Sequence, residues 1–559
     1  MPPGAPAGGA RRWPLVAGAG LAVLALAAGG VVMLRDGSRD APPAVTAAVA
    51  PPPAAAPPTT SPTGTPAAPT PAAMAPPPVP SEPVRPAVGR LTPADCPPLP
   101  LPGPAARCAH LHAALDWQRP DGTAITMFVT VLPSLAPAPV ADPLLVLSGG
   151  PGQAGSAEAA VMGKVLEPVR RSRDVILVDQ RGTGRSTPAL RCDRIGPATF
   201  WYGGLTADAV RECFAPLRAA GIDLSHFDTR QSARDLLALR HALGIERWNL
   251  LATSYGAVLA QALLRIDAAA VRSLVLNSPS TVDATWLDLD RFRDTRRAFD
   301  MMAEDCAAQP DCARAYPNIR NSVAQLAKTL TDRPLLLRTS DAGGDAARTV
   351  GWDAVAPVVG FRLGAGAGMT AVPALLDRLD RMATGRLPND ATAVRRVLLP
   401  DDIAKPLDEL AYGLNLVIGC RENRPRVDAG RARAEAAALH PFVAPDHVET
   451  DYDVACPVLG LPPVDPSFYD PVVSDAPALI LTGAYDTLVA RSRVDGLRRT
   501  LTRSVAVSFR GVGHDVLGAS ACAGGILAAF VEAPGSSAPP KECAERFLPP
   551  AFDLPSAAP

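Results

Sequence analysis

After about residue 91 the chain alternates short, wholly apolar runs with amphipathic stretches. Ile125 to Leu132 (ITMFVTVL), Leu144 to Ser148 (LLVLS), Asp174 to Asp179 (DVILVD) and Trp248 to Ala252 (WNLLA) read as strands. Val271 to Leu276, Ala478 to Thr482 and Val505 to Phe509 continue the series. Between them, residues 228–244 place Leu236, Leu239 and Leu243 on one helical face and stop at Gly244. Strands this uniformly apolar, alternating with helices, imply an α/β protein whose mostly parallel sheet is covered on both faces. The pattern then changes: about 280–470 is mainly helical, as in 288–307 and 371–384. An excursion of that length is too long for a loop. It is expected to be a helical cap (281–470) over the C-terminal edge of the sheet, separating a first core segment (91–280) from a second (471–559).

Upstream the pattern disappears. Residues 41–90 hold 17 prolines among Ala, Thr and Ser, with only Glu82, Arg85 and Arg90 charged. Such a segment buries too little apolar surface to offset its ordering entropy and reads as an extended, disordered linker. Before it, Pro14 to Leu34 is 21 uncharged residues preceded by Arg11 and Arg12, long enough to cross ~30 Å of hydrocarbon. Residues 1–40 are therefore expected to be a signal anchor. A cleaved signal peptide is the other reading, since Ala25-Leu26-Ala27 offers a small-residue cleavage pattern. Both place the rest of the chain outside the cytoplasm, in the cell envelope or beyond it, and the first ties it to the membrane.

Composition narrows the partners. The 559 residues carry 54 Lys plus Arg against 55 Asp plus Glu, a net charge of -1, so no field gathers nucleic acid. The ten cysteines are an even set, which outside the reducing cytosol reads as disulfides. Sequence does not fix their connectivity; pairing in chain order is the expectation, Cys96 with Cys108, Cys192 with Cys213, Cys306 with Cys312, Cys420 with Cys456 and Cys522 with Cys543. No metal-ligand spacing occurs, so no metal site is assigned.

Reactive groups recur at the ends of the strands. Ala252-Thr253-Ser254-Tyr255-Gly256 follows WNLLA and precedes a helical run, the strand–turn–helix context of a nucleophile elbow. Taken alone it matches equally a serine capping a helix. A serine nucleophile, however, needs a base oriented by a carboxylate, in chain order Ser, Asp, His on this kind of sheet. Asp486 follows the strand ALILTG, and His514, one of seven histidines, lies in Gly511-Val512-Gly513-His514 after the next strand. Ser148-Gly149-Gly150-Pro151-Gly152 follows an early strand, and its backbone N–H groups can approach a ligand closely. With the N–H of Tyr255, that of Gly150 is expected to form an oxyanion hole.

The loop SGGPG, the segment Asp179 to Ser186 (DQRGTGRS), the elbow TSYGA, the YD of Asp486 and the GH of His514 resemble the α/β-hydrolase serine peptidases that include proline iminopeptidases and tripeptidyl aminopeptidases. The resemblance runs from about Cys108 to Cys543 and implies the α/β-hydrolase fold with a large helical cap. It further implies a cofactor-free exopeptidase that takes N-terminal residues or tripeptides from short peptides. Three departures stand out: Ser148 where proline iminopeptidases usually have His, Ala252 where Gly is usual, and Thr487-Leu488 where Thr-Pro is common. Glu422, after Cys420 in the cap, matches the family's acidic position and is expected to hold the substrate's α-ammonium; a solvated Glu paired with Arg421 or Arg424 is the alternative. A carboxylesterase with the same machinery is the first rival function, and a non-catalytic envelope binding module the second.

Overall fold

The computed structural model describes residues 88–555 except 193, 197–204, 286–288, 342–343, 367, 399–408, 444–449 and 536–540. The apolar stretch Pro14–Leu34 and the linker up to residue 87 lie outside the described residues. Among those described, no helix is long and apolar enough to cross a membrane.

Nine strands form one sheet: β1 (Leu91–Ala94), β2 (Arg107–Ala114), β3 (Ala124–Leu132), β4 (Leu144–Leu147), β5 (Val175–Val178), β6 (Trp248–Thr253), β7 (Val271–Asn277), β10 (Ala478–Gly483) and β11 (Ser504–Phe509). Their order is β1-β2-β3-β5-β4-β6-β7-β10-β11. The first three pairings are antiparallel, and every pairing from β5 to β11 is parallel. In the parallel half, β4 (LLVL) and β5 (VILV) are buried at every position, as strands covered on both faces must be.

The sequence pattern does not mark β1 and β2. Within RCAHLHAA only Leu111 is a large aliphatic residue; β2 is placed by its antiparallel register with β3, Leu111 opposite Met127.

Helix α1 (Gly155–Val165) follows the loop after β4, and α2 (Thr229–Ala242) precedes β6. The carboxylate of Asp228 caps α2 by accepting from Gln231 N at 2.9 Å, and Gly244 takes the positive φ of +66° just beyond its end. Helix α3 (Tyr255–Asp267) follows β6.

The segment between β7 and β10 contains α4 (Leu289–Ala308), α5 (Trp352–Gly364), α6 (Val372–Ala383) and α7 (Tyr412–Ile418). It is not purely helical: β8 (Leu335–Asp341) and β9 (Gly344–Val350) pair as an antiparallel hairpin. Ten cysteines form five disulfides, Cys96–Cys108, Cys192–Cys213, Cys306–Cys312, Cys420–Cys456 and Cys522–Cys543.

Strand order decides where the chemistry can sit. The chain leaves β4 towards β5 on one side, while β6 lies on the other, so the loops after β4 and β6 diverge and leave a crevice at their C-terminal ends. The register Leu147 opposite Ala252 brings Ser148 level with the start of the elbow.

Candidate active site

Ser254 sits between β6 and α3 with φ 54° and ψ −119°. A non-glycine residue there carries roughly 1–3 kcal/mol of strain, which the surroundings must over-determine. They do so through the backbone: Ser254 N donates to Asn277 O at 3.1 Å, and Ser254 O accepts from Ala257 N at 3.0 Å and Ser280 N at 3.2 Å. Gly256 is required for the close approach of α3 to β4, because a Cβ there would stand 2.2 Å from Leu147 O. Ala252, in contrast, occupies a regular buried strand position where a methyl group is accommodated, so its departure from glycine leaves the turn unaffected.

Asp486 and His514 come from the loops after β10 and β11. His514 Nδ1 lies 2.8 Å from Asp486 Oδ2, both side chains being buried. The other carboxylate oxygen, Oδ1, accepts from Leu488 N at 2.8 Å and Val489 N at 3.0 Å, which fixes its plane. Ser254 Oγ and His514 Nε2 are buried and have no hydrogen-bond partner among the described residues. Asp515, the neighbouring carboxylate, points elsewhere and caps a short helix through Gly518 N.

The loop after β4 is held on several sides. Ser148 Oγ donates to Glu158 Oε2 at 2.7 Å, and Gln180 Nε2 donates to Ser148 O at 2.9 Å. Gly150 and Gly152 adopt φ of 105° and 118°. Burial, reinforced by the charges of Asp515 and Asp179, pushes the Glu158 carboxyl up to about 7, against the lowering effect of the Ser148 hydroxyl.

The segment DQRGTGRS is a scaffold for this loop. Arg181 and Asp235 form a fully buried, bidentate pair at 2.7 and 2.6 Å. The Arg181 guanidinium also donates to Leu115 O at 2.8 Å and His226 O at 2.7 Å. Asp179 accepts from Ser156 N at 2.7 Å and Arg185 N at 2.8 Å, tying the segment to the first turn of α1.

Glu422 lies in the π-helical turn Gly419–Asn423 that continues α7. It is buried, and its two oxygens accept from Thr229 N and Thr229 Oγ1, each at 2.7 Å. Thr229 Oγ1 is also 2.7 Å from Tyr255 OH, so the carboxylate is linked through one threonine to the residue following Ser254. It is not solvated: Arg421 pairs with Asp228 and Arg424 with Asp453. Glu422, Tyr255, Ser280, Thr281 and Phe468 line one narrow cavity. Burial, with the Asp228 charge adding to it, raises the Glu422 carboxyl to about 7. The sequence offered no sign of Thr229 or Glu158; each is an ordinary helix residue until its partner's position is known.

Fold and site together define an α/β-hydrolase. Residues 142–316 match the family model described as alpha/beta hydrolase fold, and residues 442–543 the model described as TAP-like protein. Serine protease Hip1 of Mycobacterium tuberculosis is 27% identical over 228 residues, 38% of this chain and 43% of that one. Carboxylesterase B of the same species is 30% identical over 226 residues, 37% and 43% of the two chains. Tripeptidyl aminopeptidase of Streptomyces coelicolor is 28% identical over 197 residues, 32% and 36%. The chain thus matches less than half the length of these curated relatives. The two family-model matches agree with the observed architecture, an α/β-hydrolase fold with a TAP-like C-terminal region.

Proposed function

We propose that the chain is a serine aminopeptidase that removes N-terminal residues or tripeptides from short peptides through an acyl-enzyme. Ser254 Oγ attacks the scissile carbonyl carbon and passes its proton to His514 Nε2, while Asp486 holds the imidazole by Nδ1 and stabilises its cation. The N–H groups of Gly150 and Tyr255 receive the developing oxyanion, each worth ~3–4 kcal/mol in the transition state. His514 returns the proton to the leaving amine; water, activated by the same base, then frees Ser254. No step calls for a cofactor or a metal.

The observation that carries the peptidase reading is Glu422. A buried carboxylate lining a cavity with Tyr255, one residue from the nucleophile, is a counter-charge for an ammonium entering beside the elbow. It is what an aminopeptidase needs and an esterase does not. Esterase activity is the second reading, favoured by the likeness to Carboxylesterase B. The five disulfides support export, with the N-terminal segment serving as anchor or signal.

Turnover of aminoacyl- and tripeptidyl-arylamides set against p-nitrophenyl esters tests the proposal. A peptidase cleaves free-amine arylamides and loses them on N-acetylation. Hydrolysis of esters alone would leave the esterase reading in its place.

A further inference from the structure

We infer that the C-terminal turn of α5 and the two residues after it, residues 360–366, position the acid and histidine loops, so that the inserted segment is part of the catalytic scaffold as well as a cover. The inference rests on the triad proposed above.

Three hydrogen bonds cross from the catalytic loops to this turn. His514 N donates to Gly364 O, Gly513 N donates to Gly366 O at 2.6 Å, and Thr487 Oγ1 donates to Gly360 O at 2.8 Å. The turn therefore meets the backbone of the base itself and the residue immediately after Asp486. Contact is too close for a side chain: a Cβ on Gly364 would stand 1.9 Å from Thr487 Oγ1, and one on Gly513 would stand 1.9 Å from Gly364 O.

Helix α4 holds the same acid loop from its other side. Arg297 Nη1 donates to Ala484 O at 2.8 Å, Arg491 N donates to Asp294 Oδ2 at 2.9 Å, and Tyr485 OH donates to Asp305 Oδ2 at 2.6 Å. The loop after β4 is tied to the segment preceding and forming α7, with Ala411 N on Gly152 O at 3.0 Å and Asn415 Nδ2 on Pro151 O at 3.2 Å.

Chain order makes this consequential. Asp486 and His514 follow the insertion in the chain, each on a short loop after its strand, and the two loops are bonded to each other through Ala484 N on Phe509 O at 2.8 Å and Tyr485 N on Val512 O at 3.0 Å. The carbonyl groups of residues 360, 364 and 366 select one path for both loops at once. A displacement of about 1 Å between reacting groups costs on the order of 10²-fold in rate, so a turn that bonds His514 N and the residue next to Asp486, on the two loops that make the 2.8 Å Asp486–His514 contact, governs catalysis without touching substrate.

The test uses the full chain carrying Thr487→Val, which removes the hydroxyl and keeps the branched shape, and Gly364→Ala, which drives a methyl group into the acid loop. We measure the rate of fluorophosphonate labelling, kcat and KM on a p-nitrophenyl ester, the pH profile of kcat/KM, and the melting temperature. Thr487→Val is expected to lower kcat and labelling by about 10-fold with KM unchanged and melting within a few degrees of wild type. Its acidic limb of kcat/KM should move to lower pH, because a less well-held Asp486 supports the imidazolium less. A fall in folded fraction alone would scale the profile without moving that limb. Gly364→Ala is expected to lose about 100-fold or more; if it fails to fold, Thr487→Val decides. Wild-type kcat, labelling rate and pH profile in Thr487→Val overturn the inference. Labelling that persists in Ser254→Ala overturns instead the triad on which it rests.

Discussion

The hydroxyl of Ser148 donates to the buried carboxyl of Glu158 at 2.7 Å, joining the loop after β4 to the helix that follows it. Proline iminopeptidases usually carry His where this chain has Ser148. Here a short side chain and a protonatable partner on α1 hold the loop from beneath, and Gln180 holds its carbonyl.

That pairing has a pH signature. The folded Glu158 carboxyl titrates near 7, raised from 4.5 chiefly by burial. The folded state therefore keeps a proton that the unfolded chain releases, and the associated stability is fully present below about pH 4.5 and lost as pH rises through 7. Glu158→Gln lacks this contribution. Its melting temperature, followed by calorimetry from pH 5 to pH 8, should fall less steeply than that of the wild type; parallel curves would show that Glu158 does not titrate there.

Ser254→Ala should abolish fluorophosphonate labelling, and His514→Ala should reduce hydrolysis by roughly 10³-fold or more, since loss of one triad member leaves only binding and the oxyanion donors. Circular dichroism should be unchanged in both. Wild-type turnover in His514→Ala would point to another base.

Glu422→Gln should slow free-amine peptides by ~10-fold or more and leave esters and N-acetylated substrates nearly untouched. The wild-type carboxyl, raised to about 7, must ionise to meet an ammonium. The ratio of kcat/KM for free-amine to acetylated substrates should therefore climb as pH rises towards about 7 and fall again as the α-ammonium deprotonates near ~8, and the rising limb should be absent in Glu422→Gln. Equal losses on both substrate types would make Glu422 a structural partner of Thr229 only.

Asp235→Asn leaves the Arg181 guanidinium buried beside a neutral amide. Breaking a buried pair in this way costs ~3–5 kcal/mol, visible as a lower midpoint in urea. Because Arg181 also anchors the segment holding Ser148 through Gln180, labelling of Ser254 should slow under conditions where the variant is still folded. An unchanged midpoint would mean that the pair adds nothing to stability.

The apolar runs from ITMFVTVL to Val505–Phe509 specified seven of the nine sheet strands, because residues buried on both faces must be apolar wherever they pair. Glycine and small residues specified the turns, and the order Ser254, Asp486, His514 followed from the loops they occupy. The even set of cysteines indicated disulfides. Strands β1 and β2 were illegible, since Ala, Cys and His carry little strand preference and only the neighbouring β3 places them. The hairpin β8–β9 escaped for a similar reason: it lies in a segment whose prevailing pattern is helical, and pairing with each other gives its strands their form.

Within the site, local sequence specified which residues have reactive side chains. Tertiary structure alone decided which buried polar groups meet: Glu158 with Ser148, Glu422 with Thr229, His514 N with Gly364 O. Periodicity records whether a position faces the core, a property of one element. A hydrogen-bond partner 150 or 193 residues away is a property of how two elements are stacked. Burial without a partner is costly for any of these groups, so each has to be satisfied, but its satisfaction is settled only when sheet order and the inserted helices bring the distant group within reach.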